Sequence, residues 1–408
     1  MACFVLTAVV VALLQEALVF GSYSEQIIAG SAKPRLEKKY FIYDVNPGEG
    51  FNLRRDVYLR AANTVKRLRE KDPAWVLVLP AWPHLYHWKS RFQQEKIPWR
   101  QFFQIEKLNE YVPVMEFEDY IKEYGPYIQQ LFYLQNFPWK NGDQWVERLS
   151  PEECRKDPLR YYQDTEGRWV GHFSGYNEVV VENLQCVSVL GHAGLLDDFL
   201  LKKHDLVSVF VDRLESLMHT EFGQHAYWAA RRSMVFAQHL IDEAEKFMRV
   251  NLPKPENDEV KGWNYMAVHL RRRDYTWYDR KDVPTLQGTV DQLKPLLKEK
   301  GLDVLFVASD APEEEIDILR KELVVVRYIP TAEKLQTFGD GGVAIIDQWI
   351  CVNARYFIGS EPSTFTFRIQ EERLLKGFVR ETTHNRLCYD GLKVGDEGCE
   401  PTSYWPPV

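Results

Sequence analysis

Tyr40-Phe41-Ile42-Tyr43-Asp44-Val45, then Asn46-Pro47-Gly48-Glu49-Gly50, then Phe51-Asn52-Leu53, is the stretch on which the fold turns. The first six residues read as a buried strand, ended by the glycine-rich turn Pro47-Gly48-Glu49-Gly50. Leu53, Val57, Leu59, Ala62, Val65 and Leu68 follow at helical spacing, with Arg and Lys between them. Trp75-Val76-Leu77-Val78-Leu79-Pro80 is a second apolar run. Strand, helix and strand in this order make a βαβ unit, which implies a parallel sheet and a right-handed crossover.

The same rhythm restarts after Asn251–Lys261, a polar, proline-bearing stretch read as the linker or a boundary loop. Strands are expected at 265–270, 304–310, 324–328 and 356–360. Helices are expected at 286–300, 313–321 and 343–354, with another opening at Ser363-Thr364. Ser233 to Val250 is amphipathic and reads as a helix; the pattern across about 90–230 is not resolved. The expected class is therefore α/β, with two Rossmann-like lobes facing a central cleft: residues 22–250 and 251–408.

A chain of 408 residues can bury a large core without staples. Hydrophobic residues at 45% and charged residues at 27% exclude bulk disorder. The formal net charge of −8 argues against a protein built mainly to hold nucleic acid, though not against a local anion pocket. The 12 Trp fit an aromatic core first and a carbohydrate-handling surface second. Residues 1–21 read as a secretory signal peptide, because the apolar run from Ala2 to Leu14 is too short to span a bilayer; no Lys or Arg precedes it. No Asn-x-Ser/Thr sequon and no KDEL-type tail occurs. Once Cys3 leaves with the signal, five cysteines remain, and one of them must stay unpaired. Cys351 lies in an apolar run and is expected to be a buried thiol; the expected bridges are Cys154–Cys186 and Cys388–Cys399.

Ligands of open α/β sheets bind beyond the carboxyl ends of the strands. Three places satisfy that rule. Glu49, between Gly48 and Gly50, is a candidate general base or, alternatively, a solvated helix-entry charge. Arg271-Arg272-Arg273 follows a strand, where one guanidinium could clamp a diphosphate and Asp274 could orient it. Ser363-Thr364-Phe365 opens a helix and could bind an anion through free N–H groups, or serve as an ordinary cap. Asp310 and Asp347 are candidate acceptors for a base or ribose. No P-loop, GxGxxG or GxSxG motif occurs, and no DxD pair stands at a strand end, so metal-free chemistry with no cofactor is the simpler reading.

These residues resemble the thrombospondin-repeat-specific protein O-fucosyltransferase family, over about residues 38–405. The likeness is carried by Tyr43–Pro47, Glu49–Asp56, Val268–Arg272, Phe306–Asp310, Asp340–Cys351, Ser363–Phe365 and Phe367–Ile369. The related enzyme for EGF-like repeats is less similar, lacking a Glu where Glu49 stands. The resemblance implies a GT-B fold and inverting transfer of fucose from GDP-β-L-fucose to Ser or Thr of folded thrombospondin type 1 repeats in the endoplasmic reticulum. It implies Glu49 as base and Arg271 as the group assisting departure of GDP. It implies donor contacts at Gly48, Gly50, Phe51, Asn52, His269, Leu270, Asp347, Thr364 and Phe365, beside Asp310 and Ser363. Glu361-Pro362 departs from the family pattern and is expected to weaken donor binding slightly. Since base and clamp come from different lobes, cleft closure is expected to assemble the site, in a chain acting as a monomer. Rival readings are a fucosyltransferase-like binder without turnover, a transferase for another small disulfide-rich domain, and a glycosidase pairing Glu49 with Asp44 or Asp56.

Overall fold

The computed structural model describes residues 38–408 except 139–143, 156–159, 172, 256–259, 274, 276–282, 362 and 402–403. The expected signal peptide, Cys3, Asp274 and Pro362 lie outside the described residues.

The first sheet draws on β1 (Lys39–Tyr43), β2 (Trp75–Leu79), β3 (Val114–Glu116), β4 (Tyr127–Asn136), β5 (Arg148–Pro151), β6 (Tyr161–Gln163), β7 (Trp169–Gly171), β8 (Val180–Leu190) and β9 (Ser208–Asp212). Its order is β3-β2-β1-β9-β4-β8-β7-β6, with β5 also paired to β8. The members from β3 to β8 run parallel; β5, β6 and β7 attach antiparallel at the far edge. The Cys154–Cys186 disulfide ties the segment after β5 to β8.

The second sheet contains β10 (Trp263–Leu270), β11 (Val304–Ser309), β12 (Val324–Val326), β13 (Ala354–Gly359) and β14 (Thr383–His384), all parallel, in the order β12-β11-β10-β13-β14. Both sheets reverse direction of growth beside their first strand. β2 lies on one side of β1 and β9 on the other; β11 lies on one side of β10 and β13 on the other. Such switch points open a crevice at the carboxyl ends of the strands. The crevice loops are therefore Asn46–Gly50 after β1 and Arg271 with Ser360, Ser363 and Thr364 after β10 and β13.

Strand alternation sorts the side chains into layers. Phe41 and Tyr43 enter a central core that also holds Ala267 and Phe357 of the second sheet. Tyr40 and Ile42 face an outer cluster with Phe117 and Tyr120, while Met266 and Val268 face another with Leu293 and Leu305. Helices Phe51–Lys71, His225–Ser233, Gln238–Asn251 and Ala332–Asn353 contribute to the central core. Much of the aromatic excess is here: Phe51, Trp82, Trp99, Phe102 and Phe103 form one buried stack behind the first crevice loop. Cys351 is buried and unpaired, and burial pushes its thiol well above the usual range. Cys388 and Cys399 are bridged.

Two helices differ from expectation. The run Ser233–Val250 is interrupted: one helix ends at Ser233, the next starts at Gln238. The intervening backbone is drawn aside to pair with 102–104, through Gln104 N–H on the Val235 carbonyl and Ala237 N–H on the Phe102 carbonyl, each at 2.9 Å. The helix expected at 343–354 starts at Ala332 and continues through a break at Gly339, whose φ of 67° suits glycine. Its Gly341 allows a close approach: a Cβ there would lie 2.6 Å from Phe102 Cζ and 3.0 Å from Trp88 Cζ2. Gly341→Ala should therefore destabilise the chain by about 1–3 kcal/mol through overpacking, read as a lower urea midpoint at unchanged m-value. No helix among the described residues is long and apolar enough to cross a membrane.

Candidate active site

The crevice ends of both sheets line one cavity of about 430 Å³. Gly50, Phe51 and Asn52 come from the loop and helix after β1, and Tyr86, His87 and Trp88 from the segment after β2. His269 and Arg271 come from the end of β10, Ser309 and Asp310 from the end of β11, and Ser363, Thr364 and Phe365 from the helix after β13. Asp340, Val343, Ala344 and Asp347 recur at one helical face and complete the wall.

The arginine run is sorted by its partners. Arg271 Nη1 meets Asp310 Oδ2 at 3.1 Å, and its backbone N–H donates to the Ser360 hydroxyl at 2.9 Å. Asp310 thus orients Arg271. Arg272 is directed elsewhere, onto Glu315 at 2.8 Å. Arg273 is exposed. Arg271 Nη2 also lies 3.5 Å from His87 Nδ1. On its other side His87 abuts Gly50, where a Cβ would come within 2.8 Å of Nε2. The imidazole therefore spans the gap between the Glu49 loop and the arginine.

His269 is buried and stacked on Phe365, with ring centroids 4.4 Å apart. Burial, then the Arg271 charge, pushes its pKa down to about 3, so the ring is neutral. Its tautomer follows from its neighbour. The Thr366 hydroxyl gives its proton to the Ser360 carbonyl at 2.9 Å, so it must accept from His269 Nδ1–H at 2.7 Å. Nε2 is left as an acceptor.

Asn52 is also oriented. Its Oδ1 accepts from Gln348 Nε2 at 2.9 Å and from Arg55 Nη1 at 3.0 Å, and Arg55 donates to Gln348 Oε1 at 2.7 Å. Arg55 is fully buried, over the rings of Phe236, Phe103 and Phe51 at 5.0, 5.5 and 5.8 Å. With Oδ1 occupied twice, Asn52 presents its amide donors.

Asp347 has the opposite character. Burial raises its carboxyl to about 7 against the lowering effect of Arg327, and Oδ1 has no hydrogen-bond partner among the described residues. A desolvated carboxylate lacking a donor is costly, so a ligand N–H aimed there would be favoured. Ser363 is the N-cap of helix Thr364–Leu375 but makes no side-chain cap hydrogen bond, which leaves first-turn N–H groups for an anion.

The structure brings Gly50, Phe51, Asn52, His269, Arg271, Asp310, Asp347, Ser363, Thr364 and Phe365 onto one wall. It does not bring the Leu270 side chain there: this residue is wholly buried in the outer apolar cluster, because it faces away from its strand neighbours His269 and Arg271. Gly48 is exposed on the turn and does not line the cavity, and partly buried Glu49 stands directly before its first wall residue. Glu361 pairs with Arg386 at 2.8 Å, which offsets its charge. The carboxylates that a glycosidase would need beside Glu49 are spent. Asp44 pairs with Arg54 at 3.0 Å, and Asp56 meets His219 at 3.0 Å, Arg368 at 3.2 Å and Arg60. Tyr86, His87 and Trp88 also line the cavity and belong to no quoted motif, while Asp340 opens the motif Asp340–Cys351. The first three stand seven to nine residues beyond the end of β2, too far for the strand-end rule to point to them.

The walls are joined by buried and partly buried bonds. Asp340 accepts from Ser90 N–H at 3.2 Å, from its hydroxyl at 3.0 Å and from Gln94 Nε2; Arg231 meets Glu371 at 2.9 Å and Glu372 at 2.7 Å. The one His/Cys cluster with metal-ligand spacing among the described residues, His384 with Cys388 and Cys399, has both sulfurs in a disulfide.

The family model for GDP-fucose protein O-fucosyltransferase matches residues 40–376. GDP-fucose protein O-fucosyltransferase 2 of Homo sapiens is 44% identical over 407 residues, covering 94% of this chain and 92% of that one. The Caenorhabditis elegans protein of that name is 40% identical, covering 96% of each. The fold matches a crystal structure of POFUT1 in complex with GDP-fucose, with a TM-score of 0.56 at 17% identity, over 87% of this chain and 99% of that one. The α/β, GT-B-like architecture, the cavity built from two switch points and these likenesses agree: the chain belongs to the GDP-fucose protein O-fucosyltransferase family and is a peptide O-fucosyltransferase.

Proposed function

We propose that the chain transfers fucose, with inversion, from GDP-β-L-fucose to Ser or Thr of folded thrombospondin type 1 repeats. The observation that carries this reading is one cavity that joins anion-binding groups (Arg271, Ser363 and Thr364) to an unpartnered acceptor, Asp347 Oδ1, with a carboxylate loop at its edge. Glu49 takes the acceptor hydroxyl proton while that oxygen attacks the anomeric carbon. The bond to the diphosphate breaks, and Arg271 stabilises the charge gathering on GDP. Asp347 accepts guanine N–H groups; His269 Nε2 and the Asn52 amide hold the donor between. The residues to 250 serve mostly the acceptor and those from 251 mostly the donor, with Asn52 reaching the donor from the first part. The reaction needs no metal in this reading, and the chain works as a monomer in the endoplasmic reticulum lumen. The thrombospondin-repeat acceptor rests on the resemblance of the quoted motifs, whereas the human and nematode relatives support fucose transfer from GDP-fucose to protein. Assaying purified chain with GDP-fucose against a folded thrombospondin repeat, an EGF-like repeat and no acceptor tests it. Transfer to the first alone is expected; GDP-fucose binding without transfer to any acceptor would sink it.

The Asp347 assignment predicts a pH dependence. A carboxyl raised to about 7 is mostly protonated at pH 6 and mostly ionised at pH 8. Only the ionised form accepts both guanine donors. GDP affinity should therefore rise about tenfold from pH 6 to pH 8, with the rise lost in Asp347→Asn. Calorimetric titration across that range reads it directly, and a pH-independent wild-type affinity would remove the assignment.

A further inference from the structure

Arg54 is buried on the first turn of helix Phe51–Lys71, and its three guanidinium nitrogens go to three different places. Nη1 donates to Asp44 Oδ1 at 3.0 Å, Nε to the Glu49 carbonyl at 3.1 Å, and Nη2 to the Asn46 carbonyl at 3.2 Å. Those two carbonyls mark the ends of the turn between β1 and the helix, which Glu49 N–H closes onto the Asn46 carbonyl at 2.9 Å. The anchor beneath is itself fixed. Asp44 Oδ1 accepts Val45 N–H at 2.8 Å, and Oδ2 accepts the Ser174 hydroxyl at 3.2 Å. From the other side, Glu215 Oε2 accepts Asn46 N–H at 3.2 Å.

A buried guanidinium is tolerable when paired and hydrogen-bonded, and Asp44 satisfies the charge. That pairing occupies one nitrogen; the other two are spent on the main chain of the Glu49 turn. The planar fork makes this possible, whereas an ammonium is a point donor on a flexible stem and cannot span the same three acceptors. We propose that Arg54 is a positioning residue for Glu49, holding the turn 46–49 so that the carboxylate is presented to the cavity in one place. The proposal rests on the reading of Glu49 as base. Arg54 lines no part of the donor wall, so its effect belongs to the chemical step and not to donor binding.

The test compares wild type, Arg54→Lys, Glu49→Ala and the double variant. Transfer from GDP-fucose to a folded thrombospondin repeat, GDP affinity and thermal melting are recorded for each. Misplacement of a reacting group by about 1 Å can cost about 100-fold. Arg54→Lys is expected to lower kcat by about 10–100-fold, leave GDP affinity within about twofold, and add no further loss in the Glu49→Ala background. An unchanged kcat, or an equal loss in both backgrounds, overturns the proposal. Wild-type transfer by Glu49→Ala would instead remove the base assignment, and the positioning role with it. If Arg54→Lys does not fold, Asp44→Asn carries the test. It keeps the acceptor for Val45 but drops the charge under the guanidinium, and should show the same split between kcat and GDP affinity at smaller size. Unchanged kcat there overturns the proposal as well.

Discussion

Glu49→Ala is expected to lower the transfer rate by about 10²–10⁴-fold while GDP affinity stays near wild type. The size follows from what surrounds the residue. A Ser or Thr hydroxyl has a very high pKa, so its proton must leave as the oxygen attacks, and a positioned carboxylate is what lowers that barrier. The neighbouring carboxylates cannot take over. Asp44 is committed to Arg54, and Asp56 sits among His219, Arg368 and Arg60. Burial alone would raise the Asp56 pKa, but the His219 hydrogen bond and these charges together hold it well below the usual carboxylate range. The selectivity for rate over affinity follows from placement, because Glu49 stands outside the donor wall. Steady-state rates with a folded thrombospondin repeat, beside calorimetry with GDP, separate the two quantities. A Glu49→Ala rate within threefold of wild type would rule out the base.

The strands were legible because their runs are continuous and their ends are marked: Pro47-Gly48 after β1, Pro80 after β2, the arginines after β10. Helix Leu286–Lys300 matches its expected span because Thr285 caps it and Gly301, at φ 65°, stops it. The 90–230 region was opaque for a physical reason. β4 and β8 are long but irregularly patterned, and β9 reaches its place between β1 and β4 only through tertiary pairing. The wall residues at strand ends could be read from position. Tyr86, His87 and Trp88 could not be assigned, since their place depends on how the segment after β2 folds back over Gly50 and Arg271. Arg54 and Arg55 show a further limit. Consecutive arginines of one helical turn read as solvated face, yet both are buried, one beneath the Glu49 turn and the other behind Asn52. Leu270 shows the converse: a residue within a family motif can serve the core while its two neighbours line the cavity.

Arg271→Ala is expected to cost about 10²–10³-fold in kcat, and, unlike Glu49→Ala, to weaken the donor complex as well. Charge builds on the diphosphate as the bond to the sugar breaks, so a guanidinium there acts more strongly on the transition state than on bound donor. Its removal also exposes Asp310, now relieved of the 3.1 Å pair, to the phosphates. That adds like-charge repulsion in both states and accounts for the affinity loss. Arg271→Lys separates the parts. An ammonium restores positive charge but not the fork that reaches Asp310 on one side and the His87 edge on the other. It should recover GDP affinity more fully than kcat. Removing the repulsion by adding Asp310→Asn to Arg271→Ala should likewise restore affinity and leave kcat low. If Arg271→Ala kept its kcat and lost only affinity, the arginine would be a binding contact and the leaving group would need another source of stabilisation. If the added Asp310→Asn change recovered both quantities, repulsion rather than lost stabilisation would explain the defect.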